Sequence, residues 1–169
     1  MTKKRWYAED NALYVIGTIY GMLCRLLPTW DTPSNFTKSC MSPLLYLDMF
    51  TDIAAAAKKM TARQERYMKT CRDFLAEVNK TKIEHPSPNM QGAYQLGYYA
   101  GKSGRYLKFL RLCKGLTQAQ LAEKSGITVS AIKKLEGGER DIRKASLDTI
   151  ERLANAVDCE IEDLLDNMK

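Results

Sequence analysis

Apolar positions along this chain recur at helical spacing, and no run alternates at the two-residue period of a strand. Leu13, Ile16, Tyr20, Leu23 and Leu27 form the first such series, through a stretch uncharged over residues 12–24, and Pro28 stops it. Thirteen uncharged residues are too few to span a bilayer, so the stretch reads as a buried helix. Lys3-Lys4-Arg5 ahead of it imitates a signal peptide, but Glu9-Asp10-Asn11 breaks the imitation. Gly17 and Gly21, four apart, allow another helix to approach closely, within the core or from a second chain. Residues 28–41, PTWDTPSNFTKSCM, hold turn formers with little periodicity and read as a loop. Ser42-Pro43 then opens a helix that carries Leu44, Leu47, Phe50 and Ile53 on to Met60. Thr61 with Gln64 has the capping-box pattern for a helix over 62–78, with Tyr67, Cys71, Phe74, Leu75 and Val78 inward. One continuous helix over 43–78 is the alternative.

Residues 79–91, NKTKIEHPSPNMQ, are the most loop-like stretch and mark a domain boundary. Helical spacing resumes over 93–101 with Tyr94, Leu96 and Tyr99 as packing residues, although tyrosines near Lys102 and Arg105 could instead stack on bases. The pattern therefore predicts an all-α protein in three parts. These are a helical domain over 1–90, a connecting helix or hinge over 91–102, and a second helical domain over 103–169.

That second domain begins with a helix over about 103–114, Leu107 and Leu110 inward. Two short helices joined by a tight turn follow in LTQAQLAEKSGITVSAIKKLE, residues 116–136. Thr117 caps the first, whose buried face is Leu121 and Ala122 with Ala119 beside them; Ser125-Gly126 ends it, Ile127 plugs the corner, and Thr128 caps the second. Ile132 and Leu135 point inward from that second helix, leaving Val129, Ser130, Lys133 and Lys134 outside. Ser146 caps a further helix with Leu147, Ile150, Leu153, Ala154 and Val157 as its core. A last helix keeps Ile161, Leu164 and Leu165 on one face.

Charge sharpens this division. The net charge is +6, but residues 102–144 carry eleven Lys/Arg against four Asp/Glu, and residues 145–169 two against seven. Residues 1–101 carry thirteen against nine, so the basic excess is greatest in the segment 102–144, as a phosphate-binding surface requires. Candidate chemistry is otherwise sparse. The five cysteines are odd in number, widely separated and never in a CxxC, which suits reduced thiols in the cytosol. His85 is the single histidine, and neither a metal-ligand cluster, a Gly-rich phosphate loop nor a nucleophile/base set is present. No enzyme activity, cofactor or metal is expected.

The LTQ opening, the following LA, Gly126 in the turn, Ile132 and the closing LEGG resemble the Cro/repressor-type helix-turn-helix (XRE) family. SLDTIERLANAVDCEIEDLL, residues 146–165, resembles that family's fourth and fifth helices, so the likeness covers about residues 103–166 and nothing before them. It implies a five-helix, lambda-repressor-like domain that lays the helix over 129–136 in the major groove of double-stranded DNA. Base contacts then fall to Gln118, Thr128, Val129, Ser130, Lys133 and Lys134. Val129 suits a thymine methyl, and Lys134 or Lys133 the guanine acceptors. Phosphate contacts fall to Lys114, Thr117, Arg140, Arg143 and Lys144. Arg111 and Glu136 match a charge pair that links the first helix to the end of the recognition helix. Ala145 in place of a common proline, Asp158 in place of a common glycine, and Glu160 in place of a common serine depart from the family pattern.

Because one such module buries a small interface, the resemblance implies a sequence-specific transcriptional regulator, a repressor by preference, acting as a homodimer. The N-terminal domain would supply the dimer contact. In the alternative, an antitoxin, that domain binds a toxin protein while the helix-turn-helix represses its own operon. Neither reading calls for a membrane, and both place the protein in the cytoplasm.

Overall fold

The longest and most apolar helix, α1 (Glu9–Leu26), organises the N-terminal part of the molecule. In this computed structural model, which describes residues 9–78 and 80–165, every residue of α1 between Ala12 and Cys24 is buried. Among those residues all regular structure is helical; Lys3-Lys4-Arg5 and Asn79 lie outside them. The chain divides into two units, Met1–Ser103 and Gly104–Lys169. No helix of the described residues is long and apolar enough to cross a membrane.

A helix that is apolar all round needs cover on every side. In the first unit α1 receives it from α3 (Pro43–Ala56), α4 (Ala62–Ala76), α5 (Lys80–Glu84) and, most extensively, α6 (Pro88–Lys102). The α1–α6 contact is made by four glycines. A Cβ built on Gly17 or Gly21 would collide with the carbonyl oxygen of Tyr94 or Tyr98, and one on Gly97 or Gly101 with that of Tyr14 or Thr18. The two helices are thus parallel and touch backbone to backbone. The glycine pair seen in α1 makes its close contact within the chain.

Residues 28–41 are not a loop. After a 3-10 turn (Pro28–Trp30), α2 (Pro33–Met41) forms, its N-terminus capped by the Thr32 hydroxyl, which accepts from the Asn35 amide at 3.1 Å. Its mostly exposed, polar composition hid the helical period, although Thr32-Pro33 is a start signal. Helix α3 begins at Pro43 as expected, but Ser42 does not cap it with its side chain. It ends at Ala56 rather than Met60, because Ala55 to Lys59 are exposed and offer nothing to bury, and Lys58 turns left-handed at φ +51°. Helices α3 and α4 are therefore separate. Thr61 and Gln64 form the expected capping box, and the Thr61 amide donates to Gln64 Oε1 at 2.8 Å.

Helix α5 occupies part of the stretch read as a loop, and α6 starts with Pro88 in its first turn. Residues 91–102, read as a connector or hinge, are the body of α6 and pack inside the first unit. Its buried face is Tyr94, Gly97, Tyr98 and Gly101, whereas Leu96 and Tyr99, read as packing residues, are 63% and 56% exposed. The Tyr98 hydroxyl donates to Asp31 Oδ1 at 2.8 Å, and Lys102 bonds the other oxygen. Burial pushes the Asp31 carboxyl up, but hydrogen bonds from Lys102 and Tyr98 outweigh it and hold the group below its ordinary value. The stabilisation is therefore present above the unfolded pKa, about 3.9, and is lost as pH falls through the folded one. Burial also pushes the Cys24, Cys71 and Cys159 thiols up to about 12, which disfavours their thiolate forms.

The second unit is α7 (Leu107–Cys113), α8 (Gln118–Ser125), α9 (Val129–Gly137), α10 (Leu147–Val157) and α11 (Ile161–Leu164), the five-helix arrangement expected. Helix α7 starts four residues later than its pattern suggested, since Gly104 is left-handed at φ +69° and Arg105 and Tyr106 are not helical. In α8 Leu121 is buried, but Ala122 is only half-buried and Ala119 exposed. In α10 Ile150, Leu153, Ala154 and Val157 form the buried stripe, while Leu147 is 62% exposed. It is the first residue of its helix, and its side chain projects back past the end of that stripe. Asp158 adopts the left-handed backbone, φ +54°, for which glycine is the usual choice.

Candidate nucleic-acid interface

The local structure of α8 and α9 follows from four short-range signals. The Thr117 hydroxyl accepts from the Gln120 amide at 2.9 Å while Gln120 Oε1 accepts from the Thr117 amide at 2.9 Å, a reciprocal cap at the start of α8. Gly126 closes the helix at φ +66°, and buried Ser125 donates back to Leu121 O at 2.6 Å. Thr128 starts α9 by accepting from the Ala131 amide at 3.2 Å. Gly138, at φ +80°, ends it.

Arg111, Glu136 and Gln118 lock the orientation of α9 in this unit. Arg111 Nε and Nη2 donate to the two Glu136 oxygens at 2.6 and 3.0 Å, and both side chains are buried. Arg111 Nη1 donates to Leu116 O at 2.7 Å, and the Gln118 amide donates to Glu136 Oε2 at 2.8 Å. A fork-to-fork pair supported by further hydrogen bonds to Leu116 and from Gln118 is the arrangement in which a buried ion pair offsets its desolvation. It joins α7, α8 and α9 at one point.

With α9 held in this way, Thr128, Ser130, Lys133 and Lys134 are exposed and Val129 is half-buried beside them. Ser130, Lys133 and Lys134 share one helical face. Gln118 is half-buried, and one of its amide hydrogens is committed to Glu136. Thr117 is likewise occupied by its cap. The loop residues Arg140 and Lys144 are exposed. Arg143 is exposed too, but Asp141 takes its Nε and Nη2 at 2.8 and 2.9 Å and also accepts from its backbone amide. Hydrogen bonding from Arg143 holds the Asp141 carboxyl below its usual range. Lys114 is paired with Asp158 at 2.9 Å.

Two cations were not among the phosphate contacts expected from the sequence. Arg152 on α10 pairs with Asp148 at 2.7 Å and lies against Gly126 in the α8–α9 turn. Arg105 lays its guanidinium across Gly138, where a Cβ would strike it. Arg152 also lines a groove of about 850 Å³ with Thr128, Arg140, Lys144, Ser146 and Thr149, between α9 and the start of α10. In the sequence Arg152 stands at i,i+4 from Asp148, the spacing of an ordinary surface pair; only the fold brings it to the turn. The tyrosines flanking Lys102 are not free to stack on bases: Tyr94 and Tyr98 are buried in the first unit, and exposed Tyr99 lies beside Phe36. No cluster of metal-ligating side chains occurs among the described residues.

Residues 107–164 match the sequence model of the helix-turn-helix family, and no family matches the N-terminal unit. Neither a search of curated proteins nor one of solved structures returned a match.

Proposed function

We propose that this chain, whose C-terminal unit is a helix-turn-helix DNA-binding domain of the Cro/repressor type, is a transcriptional repressor that reads duplex DNA as a homodimer and performs no chemistry. The observation that carries the reading is the exposed α9 face. Ser130, Lys133 and Lys134 project from a helix whose two ends are capped and whose orientation is fixed by the buried Arg111–Glu136 pair. A rigid helix presenting compact donors is what the major groove admits. Thr128, Ser130, Lys133 and Lys134 then read bases, with Val129 against a thymine methyl and Gln118 at the groove edge. Arg140 and Lys144 bind phosphate directly, and Arg105 and Arg152 extend the same basic surface. Lys114, Thr117 and Arg143 are conditional phosphate ligands, because each already has a partner in the protein.

Selection of bound sequences from random DNA tests this directly. Enrichment of a two-fold symmetric motif is expected, and recovery of only bulk sequence would sink the reading. In that assay Lys134→Ala relaxes the preference at one base position per half-site by about 1–3 kcal/mol. Arg140→Ala weakens every sequence alike. Asp141→Asn acts in the opposite direction: it frees the Arg143 guanidinium and tightens binding to all sequences without altering the motif. Equal effects of Lys134→Ala and Arg140→Ala on the motif would refute the division between base and phosphate contacts.

A second reading, an antitoxin that also represses its own operon, is favoured by one feature of the first unit. Leu44, Leu45, Leu47, Met68 and Leu75 line a groove of about 610 Å³ among α3, α4 and α5, and Leu45 is 65% exposed. Such a groove fits the apolar face of a partner's helix. Co-purification with the product of an adjacent gene, lost on Leu45→Glu, is the result this reading requires.

A further inference from the structure

The glycine contact between α1 and α6 is built from one motif used twice. Tyr14-x-x-Gly17-x-x-x-Gly21 in α1 recurs as Tyr94-x-x-Gly97-x-x-x-Gly101 in α6, and the parallel helices pack these faces on each other. Opposite the motif, α1 carries Ala12, Ile16, Ile19 and Leu23, all fully buried. The matching face of α6 carries Gly92, Leu96, Tyr99 and Ser103, every one exposed. Two equivalent helices thus meet different fates, since α3, α4 and α5 cover α1 and leave this side of α6 bare.

The bare face has the chemistry of an interface core. From Pro86 to Gly101 there is no charged residue, and depletion of charge with enrichment of tyrosine distinguishes interface centres from ordinary surface. Phe36 of α2 widens the patch, its ring 6.4 Å from that of Tyr99. At its C-terminal edge Lys102 is neutralised by Asp31, and Arg25 is tied to the Gly101 carbonyl oxygen at 3.0 Å. This neutrality bears on the occupant. A two-fold contact sets a patch against an identical patch, so a patch with net charge would repel its own copy; the outer face of α6 carries no charge between Pro86 and Gly101.

From these observations we infer that the outer face of α6, centred on Leu96 and Tyr99, is the seam on which a second copy of this chain docks. The inference rests on the homodimeric reading above and gives that reading its contact surface. Antiparallel pairing of the two α6 helices sets Leu96 of each chain near Tyr99 of the other.

Sedimentation of the full chain over a concentration range, free and with its selected DNA, is the test. The wild type is expected to dimerise reversibly. Leu96→Glu and Tyr99→Lys, which alter exposed side chains, are expected to keep the wild-type helical circular dichroism yet run as monomers. Mixing the two variants restores a heterodimer, because glutamate and lysine then face each other. Ala56→Glu, at an exposed position on α3, leaves dimerisation unchanged. Loss of the dimer lowers affinity for a two-half-site DNA by on the order of 100-fold while single half-site binding persists. A wild type that stays monomeric up to about 100 μM and on DNA overturns the seam. So do variants that dimerise as the wild type does. If dimerisation follows the α6 variants as stated but no DNA sequence is enriched, the regulator reading fails and the seam stands.

Discussion

Glu136→Ala is expected to cost the C-terminal unit about 3–5 kcal/mol, the usual penalty for stranding one member of a buried ion pair. The stranded group is Arg111, with side-chain exposure of 7%, whose Nε and Nη2 would lose both acceptors. Gln118 loses its partner as well. A domain of this size has a total stability of about 5 kcal/mol, so the unit should be largely unfolded at 37 °C. Binding to every DNA sequence should fall with it. Urea titration followed by circular dichroism measures the loss. The double variant Arg111→Met/Glu136→Leu separates charge stranding from lost packing: apolar replacement of both partners is expected to recover most of the stability. Recovery with slack DNA discrimination would show that the pair sets the angle of α9. A Glu136→Ala change of less than about 1 kcal/mol, within the range of exposed pairs, would contradict the burial of this network.

The second large effect lies in the first unit. Gly97→Ala ordinarily gains about 1 kcal/mol of helix propensity, but here the new methyl meets the Tyr14 carbonyl oxygen, part of a helix backbone that cannot rotate away. The helices must separate, and the loosened contact runs the length of α1. Overpacking of this kind costs about 1–3 kcal/mol or more, so the sign is set by the clash. Pairing it with Gly17→Ala, which strikes the same seam from the other helix at the Tyr94 carbonyl, should unfold the unit. Gly92→Ala is the control. It sits in the same helix with open space around its Cβ position, and it should raise Tm. A raised Tm in Gly97→Ala would mean that the close parallel packing is wrong.

What the sequence made legible was the part governed by local rules. Thr117, Gly126, Thr128 and Gly138 each specify a cap or a left-handed stop, and the structure uses each one. The stripe of Ile150, Leu153 and Val157 is equally direct. Long-range cover is harder to read. Leu96 and Tyr99 have the same spacing as buried residues, yet no neighbouring helix covers them; Leu147 is continuous with a core stripe but stands one turn beyond it. Helix α2 was hidden because a mostly exposed helix has little apolar period. The two glycine pairs were visible separately. Their relation lay in the repeated Tyr-x-x-Gly-x-x-x-Gly, a signal that only comparison of distant stretches could find. In the interface, the residue types pointed to Arg143 as a phosphate ligand, whereas its commitment to Asp141 depended on a loop conformation that spacing does not give.

The parallel pairing of α1 with α6 has a consequence for how the protein is made. Gly17 and Gly97 are eighty positions apart, so the principal contact of the first unit closes one of the longest loops the unit contains. Contacts of that range slow folding, because the chain must lose the entropy of closure before any gain from packing. During synthesis the most apolar helix emerges first and waits for its partner, exposing Ile16 and Ile19 meanwhile. The helix-turn-helix unit, whose helix contacts close shorter loops than the α1–α6 contact does, should refold in stopped-flow mixing well ahead of the N-terminal unit. Until α6 is made, the waiting helix leaves an aggregation-prone apolar surface on the nascent chain.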